Sequence, residues 1–352
     1  MFSFRYIQFG VFLHPVFECF FLRACCGAEM RETWNRATPV IELSTQDVTT
    51  LFNKNLYVVE SIEPTIGGLA NTNLRVQFEK IGLKLLLRLW TRDPKAAGKE
   101  FRLMQMMEGV VPVPKITRFS RNNPVNGYPF MFMEWIDSLR LESILGELYK
   151  NDVEELGQSI GKTLALIHAY RFDQAGFFDE ELEIAVPMEM GGAGLLRYTE
   201  ECLNNPVVKE RLSDQLAALT YNFVKSENHL LDKWTERPCL THSDFNPSNI
   251  LVRKVEFGWE VAAVLDWEFA FSGTPFFDFG NLLRDPFGAI PGMTDAVERG
   301  YLDGGGTLPP EWKRMSKLTD LTAWLDFLTR ENTGPELISD ARTQISKTMA
   351  EW

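Results

Sequence analysis

The feature that most constrains this chain is a pair of short apolar runs in its C-terminal half, each bordered by acidic or amide side chains. Asp244 and Asn249 precede the run 250–252, and a second run, 261–265, ends at Asp266. Two apolar, β-branched runs separated by a polar turn predict an antiparallel hairpin. Because the first strand of a hairpin begins beside the end of the second, we expect Asn249 to lie next to Asp266. Asp244 should lie one short loop away.

These three side chains are suited to one kind of chemistry. Mg²⁺ prefers oxygen ligands and usually takes only one or two protein carboxylates, leaving its other positions to water and phosphates. Asn249 and Asp266 offer such oxygens, and Asp244 remains able to accept a proton from an incoming hydroxyl. The same division of roles occurs in phosphoryl transfer. The alternative interpretation is a buried Asp and Asn that only cap turns.

The segment 242–249, His-Ser-Asp-Phe-Asn-Pro-Ser-Asn, followed by Val-Leu-Asp-Trp-Glu at 264–268, resembles the aminoglycoside phosphotransferase and choline kinase family. Members are small-molecule kinases on a protein-kinase-like fold. The resemblance implies that Asp244 is the catalytic base and that Asn249 and Asp266 bind magnesium. It also implies an α+β fold of two lobes, with a small antiparallel-sheet N-lobe and a larger, mostly helical C-lobe.

A second motif, Asp-Phe-Gly at 278–280, matches the metal-binding triplet of protein kinases in its letters. It follows a turn signal at 272–275 that takes the chain away from the predicted hairpin. We therefore assign the metal position to Asp266. Asp278 is expected to cap the next helix or to support the catalytic loop, and His242 to be a packed side chain that fixes that loop.

The N-terminal half contains a candidate phosphate-binding turn. Residues 62–78 predict strand, turn and strand around Gly67 and Gly68, with Asn71 at the end of the turn. Glycines between two strands let backbone N–H groups approach a phosphate closely. The alternative is an ordinary hairpin turn.

The next predicted strand, 82–90, carries one basic residue, Arg88, among apolar ones, and a helix with Glu100 follows. In kinases a lysine on the third strand pairs with a glutamate of the next helix and contacts the nucleotide phosphates. Arg88 and Glu100 match these positions. Lys84 is an alternative on the same strand face, and Glu100 could instead be a solvated helix charge.

The strand 129–136 ends at the expected junction of the lobes, where the resemblance implies adenine contacts from backbone groups of Glu134 and Ile136. Glu268 is the candidate for contact with a cationic or hydroxylated substrate. The expected division is an N-terminal extension at 1–43, a nucleotide-binding N-lobe at 44–136, and a C-lobe at 137–352 with the catalytic loop and substrate-binding helices.

Composition narrows the class of protein. The 352 residues include 36 basic and 48 acidic ones, for a formal net charge of −12, which argues against a nucleic-acid-binding protein. Five cysteines without metal-ligand spacing indicate reduced thiols and a cytoplasmic protein. The apolar stretch 2–22 is interrupted, whereas a membrane span needs ~20 largely uncharged residues. Residues 1–29 are expected to be a loosely packed extension or the product of a misplaced start codon.

The sequence thus predicts an ATP-dependent phosphotransferase that uses Mg²⁺ and acts on a hydroxyl or amine of a small molecule. Two alternatives remain open. A nucleotide-binding scaffold without turnover is supported by Arg88 standing where a lysine is usual. A protein kinase is less consistent, because no Ala-Pro-Glu motif follows and Ser243 replaces the usual arginine.

Overall fold

The computed structural model describes residues 40–52, 57–65, 71–79, 82–256 and 258–352. The α-helices are α1 (Thr45–Phe52), α2 (Ala96–Met107), α3 (Lys150–His168), α4 (Gly191–Asn204), α5 (Pro206–Arg211), α6 (Asp214–Glu227), α7 (Pro275–Leu282), α8 (Met293–Asp303), α9 (Trp312–Thr329) and α10 (Pro335–Ala350). The strands are β1 (Val59–Pro64), β2 (Thr72–Phe78), β3 (Lys84–Leu89), β4 (Ile116–Ser120), β5 (Phe130–Glu134), β6 (Leu139–Arg140), β7 (Gly176–Phe178), β8 (Ile184–Pro187), β9 (Cys239–Thr241), β10 (Ile250–Val255), β11 (Gly258–Val264) and β12 (Phe271–Gly273). The predicted N-terminal segment 1–29 and the predicted turn glycines Gly67 and Gly68 lie outside the described residues.

The N-lobe is built on an antiparallel sheet of five strands in the order β1-β2-β3-β5-β4. Alternate side chains of β2, namely Leu74, Val76 and Phe78, are buried, because successive side chains of a strand point to opposite faces. They pack against Phe52 of α1, whose ring centre lies 4.9 Å from that of Phe78. Burying each such side chain contributes roughly 1.5–3 kcal/mol, so this layer holds the sheet together.

Helix α1 begins with a reciprocal cap. The Asp47 backbone N–H donates to Ser44 Oγ at 3.1 Å, and the Ser44 backbone N–H donates to Asp47 Oδ2 at 2.9 Å. Two backbone donors that have no partner within the helix are thereby satisfied. The Ser44 hydroxyl, which donates to Asp47 Oδ2 at 2.6 Å, and the Ser44 backbone N–H together lower the pKa of Asp47. The cap fixes where the helix begins and so where its apolar side meets the sheet.

The C-lobe is organised around α3, whose apolar stripe Leu156, Ile160 and Leu164 is fully buried. Helix α8 crosses α3 so closely that a Cβ on Gly161 would lie 2.0 Å from the Val297 carbonyl oxygen. Only glycine fits at such a crossing. This close contact fixes the position of α3, against which the β10–β11 hairpin packs.

The predicted hairpin is formed by β10 and β11, and this prediction is confirmed. The two strands are antiparallel, with Ile250 opposite Val264, and the Leu265 N–H donates to the Asn249 carbonyl at 2.9 Å. The hairpin rests on α3, where the Val261 N–H donates to Ser159 Oγ at 3.0 Å. The start of β10 and the end of β11 therefore lie side by side at one edge.

A second helical core in the C-lobe is formed by α4, α6, α9 and α10, with Trp324 and Phe327 among its buried side chains. A sheet of four strands, in the order β8-β7-β12-β9, connects this part to the catalytic segment. In the part of the chain that the structure describes, none of the helices is long and apolar enough to cross a membrane.

Candidate active site

Asp244 lies in the loop between β9 and β10, and its side chain is held at both oxygens. Asn246 Nδ2 donates to Oδ1 at 2.7 Å, and Asn249 Nδ2 donates to Oδ2 at 2.6 Å. Ser248 in turn fixes the Asn246 amide, since its N–H and its hydroxyl both donate to Asn246 Oδ1, at 3.0 Å and 2.7 Å. A carboxylate held by two amide donors keeps one orientation, which is what proton transfer requires.

His242 connects this loop to the end of β11. Its Nε2 lies 3.0 Å from the Leu265 carbonyl oxygen, which can only accept, and its Nδ1 accepts the Asp244 backbone N–H at 3.2 Å. Both contacts require the neutral ring with the proton on Nε2. Burial lowers the pKa of His242, in agreement with that form. His242 is the packed, loop-fixing side chain that was predicted.

Asp278 holds the loop that carries Asp244 through hydrogen bonds to its backbone. Its carboxylate accepts the backbone N–H groups of His242 at 2.8 Å and Ser243 at 2.7 Å, and His168 Nε2 lies 3.0 Å from its Oδ2. Of the two roles predicted for Asp278, support of the loop is observed. The N-cap is not, because α7 begins at Pro275 after Thr274 and so contains Asp278 in its first turn. The fully buried carboxylate instead holds the positive-φ turn at Ser243 (φ 68°).

Asp266 follows β11 in a left-handed conformation, with φ 67° and ψ 61°. A residue other than glycine in this region is uncommon, and such conformations occur at functional sites. The turn directs the carboxylate towards the N-lobe, where Oδ1 accepts from an Arg88 guanidinium nitrogen at 2.7 Å. Asp266 thus joins the two lobes.

Arg88 is the centre of a buried charge cluster. The same terminal nitrogen lies 3.2 Å from Glu100 and 3.5 Å from Glu268, in addition to Asp266. Burial opposes the charged guanidinium, but the three carboxylates outweigh it and raise the pKa of Arg88. Lys84, the alternative on this strand, pairs instead with Asp137 at 3.3 Å on the surface. The basic member of the cluster is therefore Arg88.

Glu100 is not the solvated helix charge considered as an alternative, since it is only 1% exposed. Trp90 Nε1–H donates to its Oε2 at 3.0 Å, beside Arg88. Burial raises the pKa of Glu100 to about 8, although the charge of Arg88 opposes that shift. Asp266 and Glu268 add to the rise.

Glu268 faces the N-lobe. Its Oε2 accepts from Asn71 Nδ2 at 2.8 Å, and its Oε1 accepts from Arg92 at 3.1 Å. Sequence reasoning missed Arg92, which lies four residues beyond Arg88. Contact of Glu268 with a substrate, and of Asn71 with a nucleotide, remain predictions. The observed contacts make Glu268 a connection between the lobes.

The predicted adenine contacts lie where β5 leaves the sheet. The Glu134 N–H already donates to the Lys115 carbonyl at 2.8 Å, and the Ile136 carbonyl accepts from Ser138 Oγ at 3.3 Å. Roles for Glu134 and Ile136 in nucleotide binding remain predictions.

The oxygen atoms at the cleft fit a hard cation. Within the described ranges, Glu100, Asp266 and Glu268 each offer a carboxylate oxygen, and these lie within 4.8 Å of one another. In the loop before β10, the Asn249 amide nitrogen donates to Asp244, so its side-chain oxygen is a further amide oxygen on the C-lobe side. Carboxylate and amide oxygens are the donors that Mg²⁺ takes in proteins.

The two lobes, with these polar side chains between them, define a protein-kinase-like phosphotransferase. The chain belongs to the phosphotransferase enzyme family, whose model matches residues 61–318. The predicted resemblance and the two-lobed α+β fold are thus confirmed, and the chain is a small-molecule kinase. Kinases of this family use ATP with Mg²⁺.

Solved structures show the same fold. An aminoglycoside phosphotransferase in complex with GDP and kanamycin has a TM-score of 0.68 and 17% identity, covering 87% of this chain and 98% of its own. Another, in a ternary complex with AMP-PNP and hygromycin B, has a TM-score of 0.63 and 14% identity, with 87% and 97% covered. Spectinomycin phosphotransferase with ADP and spectinomycin has a TM-score of 0.54 and 13% identity, with 87% and 95% covered. No curated protein sequence matches the chain.

Proposed function

We propose that this protein transfers the γ-phosphoryl group of ATP to a hydroxyl group, or an amine, of a small molecule, with Asp244 as the catalytic base. The observation that carries this proposal is the position of Asp244, which is held by two amides at the edge where β10 begins and β11 ends. The acceptor oxygen bonds to the γ-phosphorus as the bond to ADP breaks, and its proton passes to the Asp244 carboxylate.

Asn246 and Asn249 orient that carboxylate before the acceptor arrives. Since neither amide has to reorganise during the reaction, the main contribution to the rate comes from holding the Asp244 carboxylate in position. The Leu265–His242 contact fixes the distance between this loop and the end of β11.

The site would hold Mg²⁺ through Asn249 and Asp266, and a bound Mg²⁺ offsets the negative charge of the phosphates. Arg88, paired with Glu100, stands where it adds a second positive charge on the N-lobe side. Gly67, Gly68 and Asn71, which precede β2 in the sequence, are proposed to contact the phosphates. Glu134 and Ile136 are proposed to contact the adenine.

A second candidate function is a nucleotide-binding scaffold without turnover. The observation in its favour is the 2.7 Å contact between Arg88 and Asp266, which competes with a cation for the same carboxylate. A protein kinase is disfavoured by the short path from Asp266 through β12 to α7, which leaves little room for an activation segment.

The test is ATP consumption by the purified protein against amino alcohols, aminoglycosides and sugars. Asp244→Asn should lower turnover by about 10²–10⁴-fold, the usual value of a general base, while MgADP affinity stays within a few-fold. Asp266→Asn should instead weaken MgADP binding. If Asp244→Asn turned over like the unaltered protein, Asp244 would not be the base. If the unaltered protein bound MgATP without consuming it, the scaffold function would be favoured.

A further inference from the structure

A cavity of about 240 Å³ lies in the C-lobe, where β8, α4, α7 and α9 meet. Its walls are mainly apolar and aromatic: Phe177, Met188, Leu195, Trp234, Phe276 and Phe277. Ligand cavities in proteins usually measure about 300–1,000 Å³. This cavity therefore suits a compact ligand with a body of one or two rings.

The aromatic walls are fixed by contacts with the core. The Phe276 ring packs edge-on against Trp234 with 5.1 Å between ring centres, and Phe277 packs against Phe271 at 5.0 Å. Phe177 lies 5.3 Å from the same Phe271 ring. Rings supported on their outer sides keep their positions, so the cavity is part of the folded structure and does not depend on a ligand.

The cavity lies beside the end of β9, the strand that leads into the loop of Asp244. Thr274 lines it, and the Thr274 carbonyl accepts from the hydroxyl of Thr241, the residue before His242, at 3.3 Å. The helix that supplies Phe276 and Phe277 also carries Asp278, which holds the loop just ahead of Asp244. One turn of α7 thus forms both the wall of the cavity and the support of the loop.

The charged groups of the cavity are few and lie at its rim. Glu189 pairs with Arg197 at 2.8 Å, and both side chains are largely exposed. Glu201 is the remaining acid among the lining residues. Tyr198 and Thr322 also line the cavity, but their hydroxyls donate within the protein, to Asp326 at 3.3 Å and to the Thr319 carbonyl at 2.7 Å. A ligand with many charges or hydroxyl groups would therefore lose more hydration here than these side chains replace, whereas Glu201 can match a single positive charge.

We infer that this cavity binds the phosphate acceptor, and that the acceptor is an alcohol with an apolar aromatic or alicyclic body of one or two rings, carrying at most one positive charge. The inference rests on the proposed function, since it identifies the substrate class of the same reaction. It is narrower than the cationic or hydroxylated substrate that the sequence left open.

The first experiment measures binding separately from turnover. A panel of aromatic and alicyclic alcohols, including 2-phenylethanol, tyramine and cyclohexylmethanol, is tested by saturation-transfer NMR in the presence of saturating MgADP, which occupies the nucleotide site. Met190→Trp fills the cavity from a half-buried position on its wall. Leu219→Trp, on an exposed position of α6, is the matched control.

We expect at least one alcohol to bind the unaltered protein and the Leu219→Trp variant, and Met190→Trp to weaken that binding at least tenfold. Met190→Trp must keep its unfolding midpoint and MgADP affinity, and Met190→Phe serves as the smaller substitution if it does not. No binding across the panel, or equal binding by the filled variant, overturns the inference.

The second experiment measures ATP consumption with the same alcohols and with kanamycin. Turnover of a bound alcohol that is lost in Met190→Trp supports the inference. Turnover of kanamycin alone, unaffected by Met190→Trp, overturns the inference and leaves the proposed function intact. Binding of alcohols without consumption of ATP overturns the acceptor role of the cavity. If Asp244→Asn also changes no activity with any compound, the proposed function fails with it.

Discussion

Replacing Arg88 with methionine tests the buried charge cluster directly. Methionine keeps most of the side-chain volume and removes the one cation shared by Glu100, Asp266 and Glu268 at 3.2, 2.7 and 3.5 Å. Removing one partner from a buried ion pair costs about 3–5 kcal/mol, because the remaining charge is left without compensation. We expect the free energy of unfolding of Arg88→Met to fall by about this amount.

The loss should depend on pH. The pKa of Glu100 is raised to about 8 in the folded protein by burial, against 4.5 ordinarily. A protonated Glu100 carries no charge that needs compensation, so the penalty in Arg88→Met should be smaller near pH 6 than near pH 8.5. Because the charge of Arg88 lowers the pKa of Glu100, that pKa should rise further in Arg88→Met. The free energy of unfolding of the variant should therefore fall more steeply with rising pH than that of the unaltered protein.

The assay is urea unfolding in EDTA at both pH values. Arg75→Met is the control, because Arg75 also lies in the N-lobe sheet but pairs with Glu63 at 3.4 Å with both side chains partly exposed. Exposed pairs contribute up to about 1 kcal/mol. Adding millimolar Mg²⁺ should restore stability to Arg88→Met more than to the unaltered protein. A loss no larger than that of Arg75→Met would refute the reasoning.

Three further predictions concern single residues. Gly161→Ala should lower the free energy of unfolding by at least ~1–3 kcal/mol, because its Cβ would lie 2.0 Å from the Val297 carbonyl; an unchanged thermal midpoint would contradict this. Burial lowers the pKa of His168 below 6.5, so the unfolded state binds more protons, and stability should fall by up to ~1.4 kcal/mol per pH unit below 6.5. Urea unfolding from pH 7.5 to 5 should show this slope, and His168→Gln should reduce it to the part that comes from His242, whose pKa burial also lowers. Glu268→Gln should weaken MgADP binding roughly tenfold, since charge-assisted bonds to the N-lobe are lost; calorimetry showing unchanged affinity would contradict this role.

Local patterns explain what the sequence could predict. The β10–β11 hairpin follows from two apolar runs and a polar turn, and it brings Asn249 and Asp266 together without any other part of the chain. The position of Asn246 could also have been found, because Asn at this place commonly binds backbone and side chains two residues away. These contacts span few residues, so sequence spacing determines them.

The remaining contacts depend on how distant segments pack. Glu268 meets Arg92 across 176 positions and Asn71 across 197, and no local periodicity encodes such a meeting. The misplaced cap at Asp278 has a smaller cause: Pro275 is favoured at the first position of a helix, so α7 begins four residues earlier than the acid suggested. The cavity could not be predicted from the sequence, because its lining residues come from distant segments between Phe177 and Thr322 that meet only in the folded chain.

The imidazole of His242 has a consequence for how the enzyme could change. Because one ring spans from the Asp244 backbone N–H to the Leu265 carbonyl, it acts as a spacer between Asp244, the proposed base, and the turn that carries Asp266, the proposed magnesium ligand. Substitutions of Phe276 and Phe277, which line the cavity, could change the preferred substrate without altering this spacing. A substitution of His242 would instead displace both Asp244 and Asp266. Variants that accept new substrates should therefore carry substitutions in the cavity lining and keep His242.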